Sequence, residues 1–213
     1  PKFGVSYSVF AVGQAFQPNF GLQVQRDVLT ARVTVIHGIP GLPAPVDVFA
    51  NGGQLFSFDF TDVQGPLVLN PGVYDLDVQL NGASVLGTAA DLEAGDDVTV
   101  VAHLDAAGTA NVLSVFANDV SATAAGNARA TVRHLAAAPA VNVLVDPTTG
   151  PLLASLNLSN GDDVTTEIPA TFYDFTIEVA SSGATVLGPV TRATAPQVSY
   201  QFYAVSNAGA GYF

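Results

Sequence analysis

The chain has 213 residues, 18 acidic against 6 basic, a net charge of −12, and neither cysteine, methionine nor tryptophan. Without cysteine, disulfides and thiolate metal sites are excluded whatever the compartment. A single lysine and five arginines cannot supply the clustered positive charge that nucleic acid or an anionic membrane demands, and Gly, Asn, Gln, Asp and Pro break up every apolar run, so no membrane insertion is expected.

The chain opens Pro1-Lys2-Phe3, as expected once an export signal has been removed. Phe3, Val5, Tyr7 and Val9 then alternate with Gly4, Ser6 and Ser8, and no charge falls between Lys2 and Arg26. That is the period of a strand with one bulky and one small face. Burial of four such side chains contributes about 6–12 kcal/mol gross. Left loose, the segment is an aggregation hazard, so it is expected to dock somewhere.

From Arg32 onward nearly every segment reads as strand: 32–36, 46–50, 54–60, 65–69, 73–80 and 98–104 are rich in Val, Phe, Leu and Thr. Asn51-Gly52-Gly53, Asn70-Pro71-Gly72, Asn81-Gly82 and Gly95-Asp96-Asp97 separate them as turns, and Asn81-Gly82 suits a type I′ hairpin. Asn118 to Asn127 is small and polar, a junction short enough to limit relative orientation. Beyond it, 173–180 and 198–205 resume the strand pattern. No segment has the period of an amphipathic helix.

The chain also repeats itself. Ala31-Arg32-Val33-Thr34-Val35-Ile36-His37 returns as Ala128-Arg129-Ala130-Thr131-Val132-Arg133-His134, and Val46-Asp47-Val48 as Val141-Asn142-Val143. Tyr74-Asp75-Leu76 returns as Tyr173-Asp174-Phe175, and the hexapeptide from Gly82 to Gly87 as that from Gly183 to Gly188. A period of about 100 residues is that of a whole small domain. The expected fold is all-β: two tandem immunoglobulin-like antiparallel β-sandwich domains plus an N-terminal extended strand. Residues 1–30 form the extension, 31–120 the first sandwich repeat, 121–127 the linker and 128–213 the second repeat.

The motif Ala-Arg-Val-x-Val-x-His, followed by Pro40 and Val46-Asp47-Val48, resembles the secreted bacterial family called domain of unknown function 4397. The second copy carries it as Ala128 to His134, Pro139 and Val141-Asn142-Val143. Pro71-Gly72-Val73-Tyr74 and the run from Leu92 to Val100 are similar too. The second copy departs at Asn142, which replaces the acidic residue, and at Ala170-Thr171, which replaces Pro-Gly. The resemblance spans 31 to about 205 and implies exported, cell-surface, tandem β domains, with no activity attached.

Catalytic and metal patterns are sparse. His37 and His134 hold equivalent repeat positions, but one His per copy makes a poor zinc site, and a hydrogen bond that ties down a turn is the plainer role. His103 has no recognisable partner. Asp75 and Asp77 share a strand face, most simply a solvated one. Asp96-Asp97 and Asp162-Asp163 begin a calcium-ligand set without the spaced loop that completes it. Asn157-Leu158-Ser159 matches a glycosylation triplet. No nucleophile elbow, zincin helix or phosphate loop is present, so neither an enzyme nor a cofactor or metal site is expected.

Two readings remain. In the first, the chain is a subunit of a secreted, pilus-like filament: its N-terminal strand enters a neighbour's sheet, a head-to-tail homopolymer results, and Phe3, Val5, Tyr7 and Val9 are the inserted side chains, with Phe10 and Val12 contributing. The run 198–205 and the C-terminal Asn207 to Phe213 then supply the acceptor edge or a second contact. In the second, a cell-surface binding module grips glycan or protein through its loops, with Phe56, Phe58 and Phe60 as a platform, and the strand folds back on its own domain.

Overall fold

The computed structural model describes residues 5–12, 21–42, 45–148 and 154–205. Phe3 and the run from Asn207 to Phe213 lie outside the described residues. Among those described there is no helix, and the strands fall into five sheets.

Strands β3 (Ala31–His37), β4 (Val46–Ala50), β5 (Gly53–Phe58), β6 (Val63–Leu69), β7 (Gly72–Leu80), β8 (Ala83–Leu92), β9 (Asp97–Leu104) and β10 (Asn111–Ala117) build the first copy. They form two four-stranded sheets, ordered β10-β9-β3-β6 and β5-β4-β7-β8. Period-two patterning sets the inner faces: in β3, Ala31, Val33 and Val35 are buried while Arg32 is exposed. These residues meet Val46, Val48, Phe58, Val78 and Leu92 of the other sheet in one core, a sandwich-like packing of two layers. Asn81 and Gly82 turn β7 into β8 with φ of 52° and 78°, the left-handed pair that a type I′ turn requires.

Strands β11 (Asn127–His134), β12 (Val141–Pro147), β13 (Ala154–Leu158), β14 (Asp163–Pro169), β15 (Phe172–Val179), β16 (Thr185–Ala193) and β17 (Ser199–Ala204) retrace this path. Their sheets run β14-β11-β17 and β13-β12-β15-β16, around Val132, Val141, Val143, Leu158 and Ile177. Pairing is antiparallel except that β3 lies parallel to β9, and β11 to β17. In each copy the chain crosses to the opposite sheet between those two strands, which is what parallel neighbours require.

The two copies pack against each other. Every residue of β9 from Val98 to Leu104 is buried, as its nearly unbroken apolar sequence demands of a strand covered on both faces. Ile36 and Val101 cluster with Leu135 and Val205. Gly38 approaches so closely that a Cβ there would sit 2.7 Å from Val205 Cγ1. At the centre lies Arg133, 2% exposed. Its guanidinium donates to Asn118 Oδ1 at 3.0 Å, Gln201 Oε1 at 3.1 Å, Tyr203 Oη at 2.8 Å and the Ala117 carbonyl at 3.2 Å, and stands 4.7 Å over the Phe116 ring. The junction is fastened as well: Arg129 donates to the Asp119 and Ser121 carbonyls, and Asn118 donates through Nδ2 to Asp97 and Thr99.

β1 (Val5–Val12) and β2 (Gly21–Val28) pair antiparallel as a two-stranded sheet of their own. The expected single strand is therefore half of a hairpin. Leu22 and Val24 alternate with Gln23 and Gln25 in β2, which matches the alternation across the ladder.

Candidate functional site

The residues that invited chemical roles are occupied structurally. His37 is buried, accepts the Ile39 N–H through Nδ1 at 3.3 Å, and lies 5.4 Å from the Phe58 ring. His134 is buried and donates through Nε2 to the Pro139 carbonyl at 3.2 Å. Each thus ties down the turn that follows it. His103 donates through Nδ1 to the Leu104 carbonyl and accepts the Ser114 hydroxyl at Nε2, both at 2.8 Å. Loss of solvation holds all three imidazoles below their ordinary pKa; Asp59 and Asp62 oppose this at His37, the Leu104 carbonyl at His103, and the Pro139 carbonyl with Asp162 at His134.

The carboxylates serve turns and sheet faces. Asp96 Oδ2 accepts the Glu93 N–H at 2.7 Å and Asp162 Oδ2 the Ser159 N–H at 2.8 Å. Asp77 accepts from Ser84 and Gln79, which keep its carboxyl below the usual range. Among the described residues no group of three or more His, Asp or Glu converges on a metal position. Phe58 is 3% exposed and meets Phe56 edge-on at 5.2 Å, so this pair belongs to the core and not to an aromatic platform.

The unfinished chemistry of the molecule is at a sheet edge. Strand for strand, β3 to β9 correspond to β11 to β17, since each sheet order repeats. β10 has no counterpart among the described residues: its sheet has four strands and that of β17 has three. In the first copy β10 hydrogen-bonds along β9 and sends Leu113 into the core, where the residual void is about 20 Å³. At the equivalent place in the second copy is a cleft of about 390 Å³ between β17 and β16. Val132, Val143, Phe175, Ile177, Leu187 and Phe202 line it. One edge of β17 pairs with β11; among the described residues no strand pairs with the other.

The hairpin carries exposed apolar side chains of its own. Cross-strand partners share a face. Val9 pairs with Val24 and Ala11 with Leu22, whereas Phe10 pairs with Gln23 and Val12 with Gly21. Val9 is 59% exposed, Val24 63% and Leu22 68%, an apolar face without cover. Phe10 and Val12 are exposed on the other face. Val5 and Tyr7 hold the ladder positions opposite Val28 and Arg26.

One sequence signal links the two halves. Ser8-Val9-Phe10-Ala11 of β1 is identical to Ser114-Val115-Phe116-Ala117 of β10. Alignment of the repeats starts at Ala31 and never brings these segments together.

Comparison with known families places residues 31–144 in the family described as domain of unknown function (DUF4397), just over half of the 213 residues. No curated protein matches the chain. Among solved structures it is similar to the Bacillus anthracis TIE protein, at 9% identity and a TM-score of 0.29, over 86% of this chain and 36% of that one. It is also similar to a DUF3823 family protein from Bacteroides ovatus ATCC 8483, at 13% identity and a TM-score of 0.22, over 77% and 98% respectively. The hairpin, the end of β12 and strands β13 to β17 fall outside the family match.

Proposed function

Since the chain belongs to the DUF4397 family, whose description carries no activity, we propose from geometry that it is the structural subunit of an extracellular, pilus-like filament, polymerising head to tail by donation of its N-terminal β-strand. The observation that carries this reading is the pairing of surplus with deficit: an apolar hairpin outside both sandwiches, and a second sandwich with one strand fewer than the first among the described residues. A strand added to an open edge gains main-chain hydrogen bonds and buries alternate side chains. Donor and acceptor are different surfaces, so the contact is head to tail and, where its rotation does not close a ring, propagates as a fibre.

The reading is tested by electron microscopy of the native protein beside a variant lacking residues 1–16. Fibres from the first and folded monomer from the second are expected. Fibres that survive the deletion refute strand donation. Compact particles from the intact chain refute polymerisation and direct attention to binding of surface glycan or protein.

A further inference from the structure

Resting on that reading, we infer that the donor strand β1 occupies the cleft between β16 and β17 in a second copy of this chain, antiparallel to β17, with Val9 opposite Phe202. The register follows from the repeat. Arg32 pairs with Asp97, and its counterpart Arg129 with Ser199, so β9 residues map onto β17 residues 102 positions later. In the first copy Leu113, Val115 and Ala117 stand opposite Ala102, Val100 and Val98. The shared tetrapeptide maps Tyr7, Val9 and Ala11 onto those three positions. Tyr7 is thereby placed opposite Ala204, Val9 opposite Phe202 and Ala11 opposite Tyr200. Val9 and Ala11 share the ladder face of Leu113, which packs into the first core, although Val115 and Ala117 at the matching positions are exposed; Phe10 takes the position of Phe116, which packs between the copies beneath Arg133. β2 extends the sheet beyond β1, with Leu22 and Val24 continuing the same apolar face.

The donor comes from another copy because the paired hairpin cannot reach its own cleft. In this register Val5, and with it Val28, lies at the C-terminal end of β17. Gly38, just past the end of β3, contacts Val205, just past the end of β17. At the opposite ends, Asn118 bonds Asp97 while Ser199 bonds Asp119. The two strands therefore run in the same direction. Ala31, seven residues before Gly38, is about 23 Å back along the strand at 3.3 Å per residue. Leu29 and Thr30 between Val28 and Ala31 span at most about 11 Å, three steps of 3.8 Å.

Cysteine-free sequence makes disulfide trapping clean. Proteins carrying one substitution each are mixed under fibre-forming conditions and oxidised. Ser8→Cys should join Tyr203→Cys, and Val12→Cys should join Ser199→Cys, giving covalent dimers. The exchanged combinations are four residues out of register, about 13 Å, beyond the 4.4–6.8 Å Cα separation of a disulfide, and should stay unlinked. The pair at Val12 and Ser199 keeps the test readable if Tyr203→Cys disturbs Arg133. Dimers from the exchanged combinations overturn the register. A monomer-sized link in a chain carrying both substitutions overturns donation between copies. Fibres without either link place the donor elsewhere and overturn this inference alone, whereas absence of fibres and links together overturns the filament itself.

Discussion

The first and second copies share seven strands in the same order, yet among the described residues only the first has an eighth that closes its edge. The first copy ends in β10, which covers the edge of β9 and carries Leu113 inward. The second reaches β17 and presents Phe202 and Ala204 to an open cleft. On the proposed assembly a strand from another copy takes the place along β17 that β10 holds along β9.

The largest effect is expected from erasing that difference. Replacement of residues 207–213 by the sequence of 105–117, the loop and strand that close the first copy, gives the second its own last strand. The variant should remain monomeric by light scattering. Burial of the leucine and valine side chains should contribute about 3–6 kcal/mol gross, read as a higher Tm. Fibres from this variant would show that the cleft is not the acceptor.

Arg133 distinguishes the copies next, since its counterpart in the first is Ile36. Arg133→Ala leaves Asn118, Gln201 and Tyr203 without their donor and opens a void under Phe116, and should cost about 3 kcal/mol in urea unfolding. Arg133→Ile, which copies the first repeat, should cost less, because it restores apolar contact. Equal losses would assign the whole effect to the lost hydrogen bonds.

Gly87 and Gly188 hold equivalent positions within β8 and β16 and are also unequal. A Cβ on Gly188 would lie 2.4 Å from the Phe175 carbonyl with φ at +100°, whereas on Gly87 it would make ordinary contact at 3.4 Å. Gly188→Ala should therefore lower stability by about 2 kcal/mol, and Gly87→Ala by under about 1 kcal/mol. Differential scanning calorimetry of the two variants decides whether the irregular ladder of β15 with β16 is a necessity of the open side.

Acid should act on both copies through their histidines. Burial lowers the folded-state pKa of His37, His103 and His134, so the unfolded chain binds protons more tightly. Stability is complete above pH about 6.5 and falls as pH drops below it, by at most about 1.4 kcal/mol per pH unit for each histidine. Asp77, Asp105 and Asp119 have lowered carboxyl values and add their loss only below the ordinary carboxylate range. Replacement of His103 by Val, the residue its counterpart Val205 already carries, should flatten the slope between pH 6.5 and 5 in the first copy. An unchanged slope would remove His103 from this account.

Local patterns in the sequence account for much of this architecture. Period-two alternation identifies β3, β4 and β7, and Asn81-Gly82 specifies its turn, because both depend on neighbours in the chain. The parallel pairs β3 with β9 and β11 with β17 join residues more than sixty positions apart, and no local pattern encodes them. β8 is poor in strong strand formers over much of its length, with Gly87, Ala89 and Ala90; its partners decide it. Arg129 and Arg133 read as surface residues but are buried where the copies meet. The N-terminal surplus is legible from its missing charges, whereas only the sheet order shows that β10 has no counterpart among the described residues of the second copy.

The free edge of β17 also implies a direction of growth. On the proposed assembly every fibre has unlike termini, one with an unfilled cleft and one with a bare hairpin, and all interior subunits are inert. Elongation then depends on the number of ends and not on the mass of polymer, so sheared fragments should seed fresh protein without a lag. A synthetic octapeptide copying Val5 to Val12 would cap the cleft end and leave the other growing.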